Sequence, residues 1–73
     1  MSVHELSLKL REMYNSARLD EKVTMVLLFG VKYADEISRV NLTEIVIESG
    51  ISRSYRSEIS KAVKLATYVT PKP

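Results

Sequence analysis

Apolar residues recur along this chain at intervals of three and four, the spacing of one helix face. Val3, Leu6, Leu10, Met13, Tyr14 and Ala17 form the first such series. Ser2 followed three residues on by Glu5 fits a capping box, so a helix is predicted over about 3–17. Leu8 falls off that face; it reads as an exposed leucine before it reads as a contact for a second subunit. The second series is Val23, Val26, Leu27, Gly30, Val31, Ala34 and Ile37, widened nearly all round by Met25, Leu28 and Phe29. It predicts a central, well-buried helix over about 21–38, with Asp20 as N-cap and Glu21 near the positive helix end. Its β-branched residues raise a rival reading of Val23–Phe29 as a strand. The lack of alternation, and the helical spacing that continues through Lys32–Arg39, favour helix. Gly30 inside a helix costs about 1 kcal/mol relative to Ala, so either a close helix crossing or a kink is expected there.

Asn41, with Glu44 three residues on, predicts a short helix over 42–49 that turns Ile45 and Val46 inward, with Leu42 as a third inward candidate. Gly50 stands where a helix ends at positive φ, a conformation glycine adopts without steric cost. Ser52 then reads as the N-cap of a fourth helix over about 53–69, ended by Thr70-Pro71-Lys72-Pro73. Two helices joined by a tight glycine turn are the outline of a DNA-binding helix-turn-helix. The expected architecture is all-α: one compact four-helix domain over 1–73, its last two helices forming the helix-turn-helix.

Composition narrows the chemistry. Seventy-three residues allow one domain, and a core this small leaves a thin stability margin. Without cysteine there is no disulfide and no thiolate metal site, and the lone His4 makes neither a metal site nor a catalytic triad. No cofactor and no small-molecule substrate are expected. The acid pairs Asp20/Glu21 and Asp35/Glu36 read as a helix start and a solvated face, and the tyrosines are scattered, so an enzyme is not expected. The longest apolar run, Met25–Phe29, is too short to cross a membrane, and no signal-peptide pattern opens the chain, so a cytoplasmic protein is expected.

The net charge of +2 matters less than its distribution. Residues 1–50 hold six Lys/Arg against eight Asp/Glu, whereas residues 51–73 hold five Lys/Arg against the single acid Glu58. On a wheel of about 100° per residue, Tyr55, Ala62, Val63 and Ala66 gather near Ile59 as the packing stripe. Arg53, Arg56, Ser57, Ser60, Lys61 and Lys64 are assigned to the opposite arc. Arg can pair with guanine through two hydrogen bonds, while Lys and Ser mostly hold phosphates. The leading residues of such a helix enter the groove, which points to Arg53, Ser54, Arg56 and Ser57 as base readers. Lys61 and Lys64 lie further along, toward the DNA backbone. The N-terminus of the third or fourth helix is a further candidate for holding a phosphate. A solvated lysine-rich face is the ordinary explanation of such a stripe. Its single sign, its place after a glycine turn and the acidic remainder of the chain favour nucleic acid.

Residues Leu42–Lys64 resemble the helix-turn-helix signature of bacterial and phage regulators. Gly50 matches its turn glycine, Ile51 the apolar residue after it, and Ile59 a late core position. Val46 stands where the signature prefers Ala, and Arg56 where it prefers Ile or Val, with the apolar Tyr55 one position earlier. The whole chain, including Leu28–Ile37 and Gly50-Ile51-Ser52, resembles a small bacterial HTH-like domain family. The resemblance implies a helix-turn-helix fold more than a function; double-stranded DNA is the partner expected from the basic stripe that follows the glycine turn.

Two functions follow. One is a small DNA-binding transcriptional regulator. So small a module calls for a homodimer reading two half-sites. Leu8, Met25, Phe29 and Tyr33 are candidates for the dimer patch, although Phe29 and Met25 read first as core. The other is a protein-interaction module in which the same basic face meets an acidic partner.

Overall fold

In the computed structural model, which describes residues 1–69, five α-helices follow one another. They are α1 (Val3–Ser16), α2 (Lys22–Lys32), α3 (Ala34–Ile37), α4 (Leu42–Ser49) and α5 (Tyr55–Leu65), with a 3-10 turn at Leu19–Glu21 ahead of α2. No strand occurs among the described residues, and Val23–Phe29 is helical. The fold is all-α, with five helices where the apolar spacing predicts four.

The difference lies in the span 21–38. Tyr33, at φ −110° and ψ 23°, ends α2 and starts α3. Its N–H still donates to the Phe29 carbonyl (3.0 Å) and its carbonyl accepts from Ile37 (2.9 Å), so the bend sacrifices little hydrogen bonding. Across the bend the Tyr33 ring lies 5.4 Å from that of Phe29, and Ile37 is buried. Asp35 and Glu36 occupy the first turn of α3. The Met1 ammonium lies 2.5 Å from Glu36 and, by hydrogen bond and charge, holds that carboxyl below its ordinary range. At the other end Asp20 is not the cap. The Glu21 N–H closes a 3-10 turn onto the Arg18 carbonyl (2.8 Å), and α2 starts at Lys22 without a side-chain cap.

Leu6, Leu10, Val26, Phe29, Ile37, Ile45, Val46 and Ile59 form the core. Phe29 is therefore no dimer contact; it is fully buried, with half-buried Tyr33 packed against the core, Met25 half-buried and Leu8 exposed. Gly30 is explained by a close crossing of α2 over α5. A Cβ on Gly30 would lie 2.6 Å from the Ala62 Cβ and 3.0 Å from the Ile59 carbonyl oxygen. Gly50 is conformational instead: it caps α4 at φ 82° and ψ 0°, with open space where a side chain would stand.

The caps at Ser2 and Asn41 form as the sequence implies. The Glu5 N–H donates to Ser2 Oγ (3.1 Å) and the Ser2 N–H to the Glu5 carboxylate (3.0 Å). The Glu44 N–H donates to Asn41 Oδ1 (3.3 Å). Bonding to Ser2 lowers the Glu5 pKa. A carboxyl with a depressed folded pKa contributes stability above its unfolded pKa and loses it as pH falls through the folded one. Ser2→Ala is accordingly expected to cost about 1 kcal/mol at neutral pH, with a smaller difference from the parent in acid. Thermal denaturation of both proteins at neutral and acidic pH checks this; equal stability at neutral pH would remove the cap from the account.

Polar groups that the apolar pattern does not mark join α1 to its neighbours. Ser7, buried between Val3 and Leu10, shares its proton between the carbonyls of Val3 (2.7 Å) and Ile45 (3.1 Å). Arg11 donates to the carbonyls of Glu48 (2.8 Å) and Ser49 (3.0 Å), closing the C-terminal end of α4. Lys22 donates to the Tyr14 carbonyl (2.6 Å) near the end of α1. Neither α1 nor α4 carries a basic residue in its own last turn, so each end takes its cation from elsewhere.

Candidate nucleic-acid interface

The turn between α4 and α5 sets the geometry. Ser49 is buried, donates to the Val46 carbonyl (2.7 Å) and accepts from the Ile51 N–H (3.4 Å), while Ile51 packs on the core. The chain then enters α5 through a tight segment that opens at Ser52. The Ser52 hydroxyl accepts from the Ser54 N–H (3.3 Å) and pairs with the Ser54 hydroxyl (2.9 Å). Tyr55 and Arg56 bond three residues back, to Ser52 and Arg53. Thus α5 starts at Tyr55, two residues later than predicted; Ser54 is its N-cap residue and makes no side-chain cap bond. Arg53 precedes the helix instead of lying in its first turn.

The helix is also shorter than predicted, ending at Leu65 instead of near Val69. Thr67 and Tyr68 bond three residues back, to Lys64 and Leu65. Thr, Tyr and Val are weak helix formers, and Thr67, Tyr68 and Val69 are exposed, with no packing to hold a further turn. The predicted stop at Thr70–Pro73 lies outside the described residues.

On α5, Ile59 and Ala62 are buried, and Ser57, Lys61 and Lys64 fall within about 40° of the direction opposite Ile59. All three are exposed. Arg56 is exposed but belongs to the flank, about 60° from Ile59, where its Nε–H donates to Thr43 Oγ1 on α4 (2.7 Å). This corrects its assignment to the outer arc. It also accounts for the departure from the helix-turn-helix signature, because half-buried Tyr55 supplies the apolar contact and frees position 56 to face outward. Ser60, about 100° from Ile59, is half-buried on the same flank, so it too is not a ridge residue. Ser57 donates back to the Ser54 carbonyl (3.3 Å). The structure thus brings Ser57, Lys61 and Lys64 onto one ridge, with Arg53 and Ser54 exposed at its leading end.

Among the described residues none of Arg53, Arg56, Lys61 and Lys64 takes part in an ion pair; the pairs are Met1 with Glu36, His4 with Glu48 and Arg18 with Glu21. Thr43 was not visible as part of this surface, because only the fold brings it to Arg56. Leu65 and Tyr68 were likewise missed; they stand half and mostly exposed at the far end of the ridge. No group of three or more His, Asp or Glu among the described residues could hold a metal ion, and no helix is long and apolar enough to cross a membrane.

An α4–glycine–α5 unit with a basic outer ridge, carried on a three-helix support, defines a helix-turn-helix class of domain. The chain belongs to the HTH-like domain family, whose model matches residues 2–72. No curated protein and no solved structure matches it.

Proposed function

We propose that this protein binds double-stranded DNA through α5 and acts as a transcriptional regulator, without enzymatic activity of its own. The observation that carries the reading is the exposed, one-signed set of Arg53, Arg56, Lys61 and Lys64, free of ion pairs among the described residues. Exposed cations on one face are the electrostatic footprint of a phosphate backbone. Membership of the HTH-like domain family supports the same partner in general terms. In this reading α5 lies in the major groove with Arg53, Ser54 and Ser57 toward the bases. Arg56 exchanges its bond to Thr43 for a DNA oxygen, and Lys61 and Lys64 hold phosphates. A homodimer on two half-sites about one helical turn apart supplies sequence specificity.

A second reading is favoured by Leu65 and Tyr68, 50% and 83% exposed beside the basic ridge. An apolar edge on a basic face also suits an acidic protein partner.

NMR titration of the labelled protein with a mixed-sequence duplex at about 50 and about 200 mM salt separates the two. Shifts concentrated on residues 53–64 that weaken steeply with salt support DNA binding; no shifts at low salt overturn it. Lys61→Ala and Lys64→Ala should each lower the slope of log affinity against log salt by about 0.9 and weaken binding to all sequences alike. Arg53→Ala should instead relax sequence preference, by about 1–3 kcal/mol at one base pair. Wild-type salt slopes in both lysine variants would remove those residues from the interface.

A further inference from the structure

We infer that Tyr14 and Lys22, neither of them on the basic face, are positioning residues for α5: they hold its leading turn in place of the side-chain cap that the helix lacks. The inference rests on the reading of α5 as the DNA-facing helix, and it concerns what fixes that helix rather than what touches DNA.

The start of α5 is weakly held by its own chain. Its N-cap residue Ser54 makes no side-chain cap bond, and the entry is closed by bonds from Tyr55 and Arg56 three residues back and by the Ser54 N–H on the Ser52 hydroxyl. Short-range turn bonds of this kind are exposed to water, and a helix start held by them alone tends to fray. Yet this turn carries Arg56 and Ser57 and follows directly on Arg53 and Ser54.

What holds it comes from the other side of the fold. Tyr55, the first residue of α5, is half-buried, and its ring meets that of Tyr14 on α1 edge to face, with centroids 5.5 Å apart and planes at 65°. Tyr14 is fixed in turn by Lys22, the first residue of α2, whose ammonium lies 4.6 Å from the Tyr14 ring centroid and donates to the Tyr14 carbonyl at 2.6 Å. A cation over one ring and an edge-to-face contact with a second are both directional. The series Lys22, Tyr14, Tyr55 therefore defines where α5 begins as well as burying area. Hydrogen bonding to the Tyr14 phenol and partial burial raise the Tyr55 pKa above its ordinary value, in keeping with this close pairing.

The test uses the full chain with Tyr14→Leu, which keeps apolar bulk and loses the ring, Lys22→Met, which keeps the stem and loses the ammonium, and Lys22→Arg as the conservative variant. Amide hydrogen exchange is read at residues 55–58 against the core amides of Ile59 and Ala62. Binding is compared between a duplex selected by the parent from a random pool and a scrambled duplex. Exchange at 55–58 should rise about fivefold or more over that of the core amides in Tyr14→Leu and Lys22→Met. Preference for the selected duplex should fall about tenfold with the salt slope unchanged, and Lys22→Arg should restore both. A purely structural role would raise exchange throughout the fold and leave the preference of the folded fraction intact, which overturns the inference; so does parent-like exchange at 55–58. Should Tyr14→Leu fail to fold, Lys22→Met alone decides between these results. A parent protein that selects no duplex defeats the DNA reading, while the exchange data still decide whether Tyr14 and Lys22 hold the turn.

Discussion

Gly30→Val is expected to abolish stable folding. The missing Cβ would stand 2.6 Å from the Ala62 Cβ and 3.0 Å from the Ile59 carbonyl oxygen, and the second of these is backbone that has no rotamer by which to yield. Alanine alone should already be harmful. Its better helix propensity returns about 1 kcal/mol, but forcing two packed helices apart costs about 1–3 kcal/mol, so the net loss falls between about 0 and 2. Valine adds two methyl groups at the same contact and gives up part of the propensity gain. Its cost approaches the whole margin of about 3–5 kcal/mol that a core of this size supplies. Circular dichroism melts of the parent, Gly30→Ala and Gly30→Val measure the series. A loss of 1 kcal/mol lowers Tm by about 4–8 °C in a domain of this length. Placing Ala62→Gly behind Gly30→Ala should recover part of the loss by removing the Cβ–Cβ contact, a coupling that independent sites would not show. A Gly30→Val protein that melts with the parent would mean that α2 and α5 do not cross there.

Arg11→Met should be the costliest change at an exposed charged position. It preserves most of the aliphatic stem and removes the guanidinium that donates to the carbonyls of Glu48 and Ser49. Hydrogen bonds from charged groups are worth about 1.5–3 kcal/mol when sheltered. Arg11 is exposed and water can replace part of what is lost, so about 1–2 kcal/mol is expected for the two bonds together. Arg11→Lys should recover less than half, because an ammonium cannot present a planar fork to two adjacent carbonyls. Urea denaturation gives the number. A midpoint shift within the roughly 0.5 kcal/mol of an ordinary surface substitution would show that water closes the end of α4 equally well. The site feels the change because α4 ends at Gly50, whose turn aims α5.

The readable parts of this fold were those written in local terms. Spacing and caps gave α1 and α4, from Ser2 and Asn41 through to the Gly50 turn, since each of those signals acts within four residues of itself. The division at Tyr33 was not readable, because the apolar period runs on unbroken through it and the four-residue bonds on either side are kept, so no local signal marks the bend. At α5 the helical wheel separated Ile59 from Lys61 and Lys64. At about 100° per residue Arg56 stands about 60° from Ile59, so its assignment to the outer arc did not follow from the spacing; what the spacing could not show is its bond to Thr43, thirteen residues away. Arg11 and Lys22 entered only the charge balance, because their acceptors are main-chain carbonyls, which carry no signature in a sequence.

Those two residues have a consequence for how the domain comes apart. The end of α1 is closed by the first residue of α2, and the end of α4 by the middle of α1, so neither α1 nor α4 closes its own C-terminal end. Melting α1 withdraws the guanidinium from α4, and melting α2 withdraws the ammonium from α1, so loss spreads instead of stopping at a boundary. Unfolding is then expected to be all-or-none, with transitions that coincide when followed by different probes. A fragment holding only the two helices of the helix-turn-helix would keep the whole basic face and lack the groups that give it a shape.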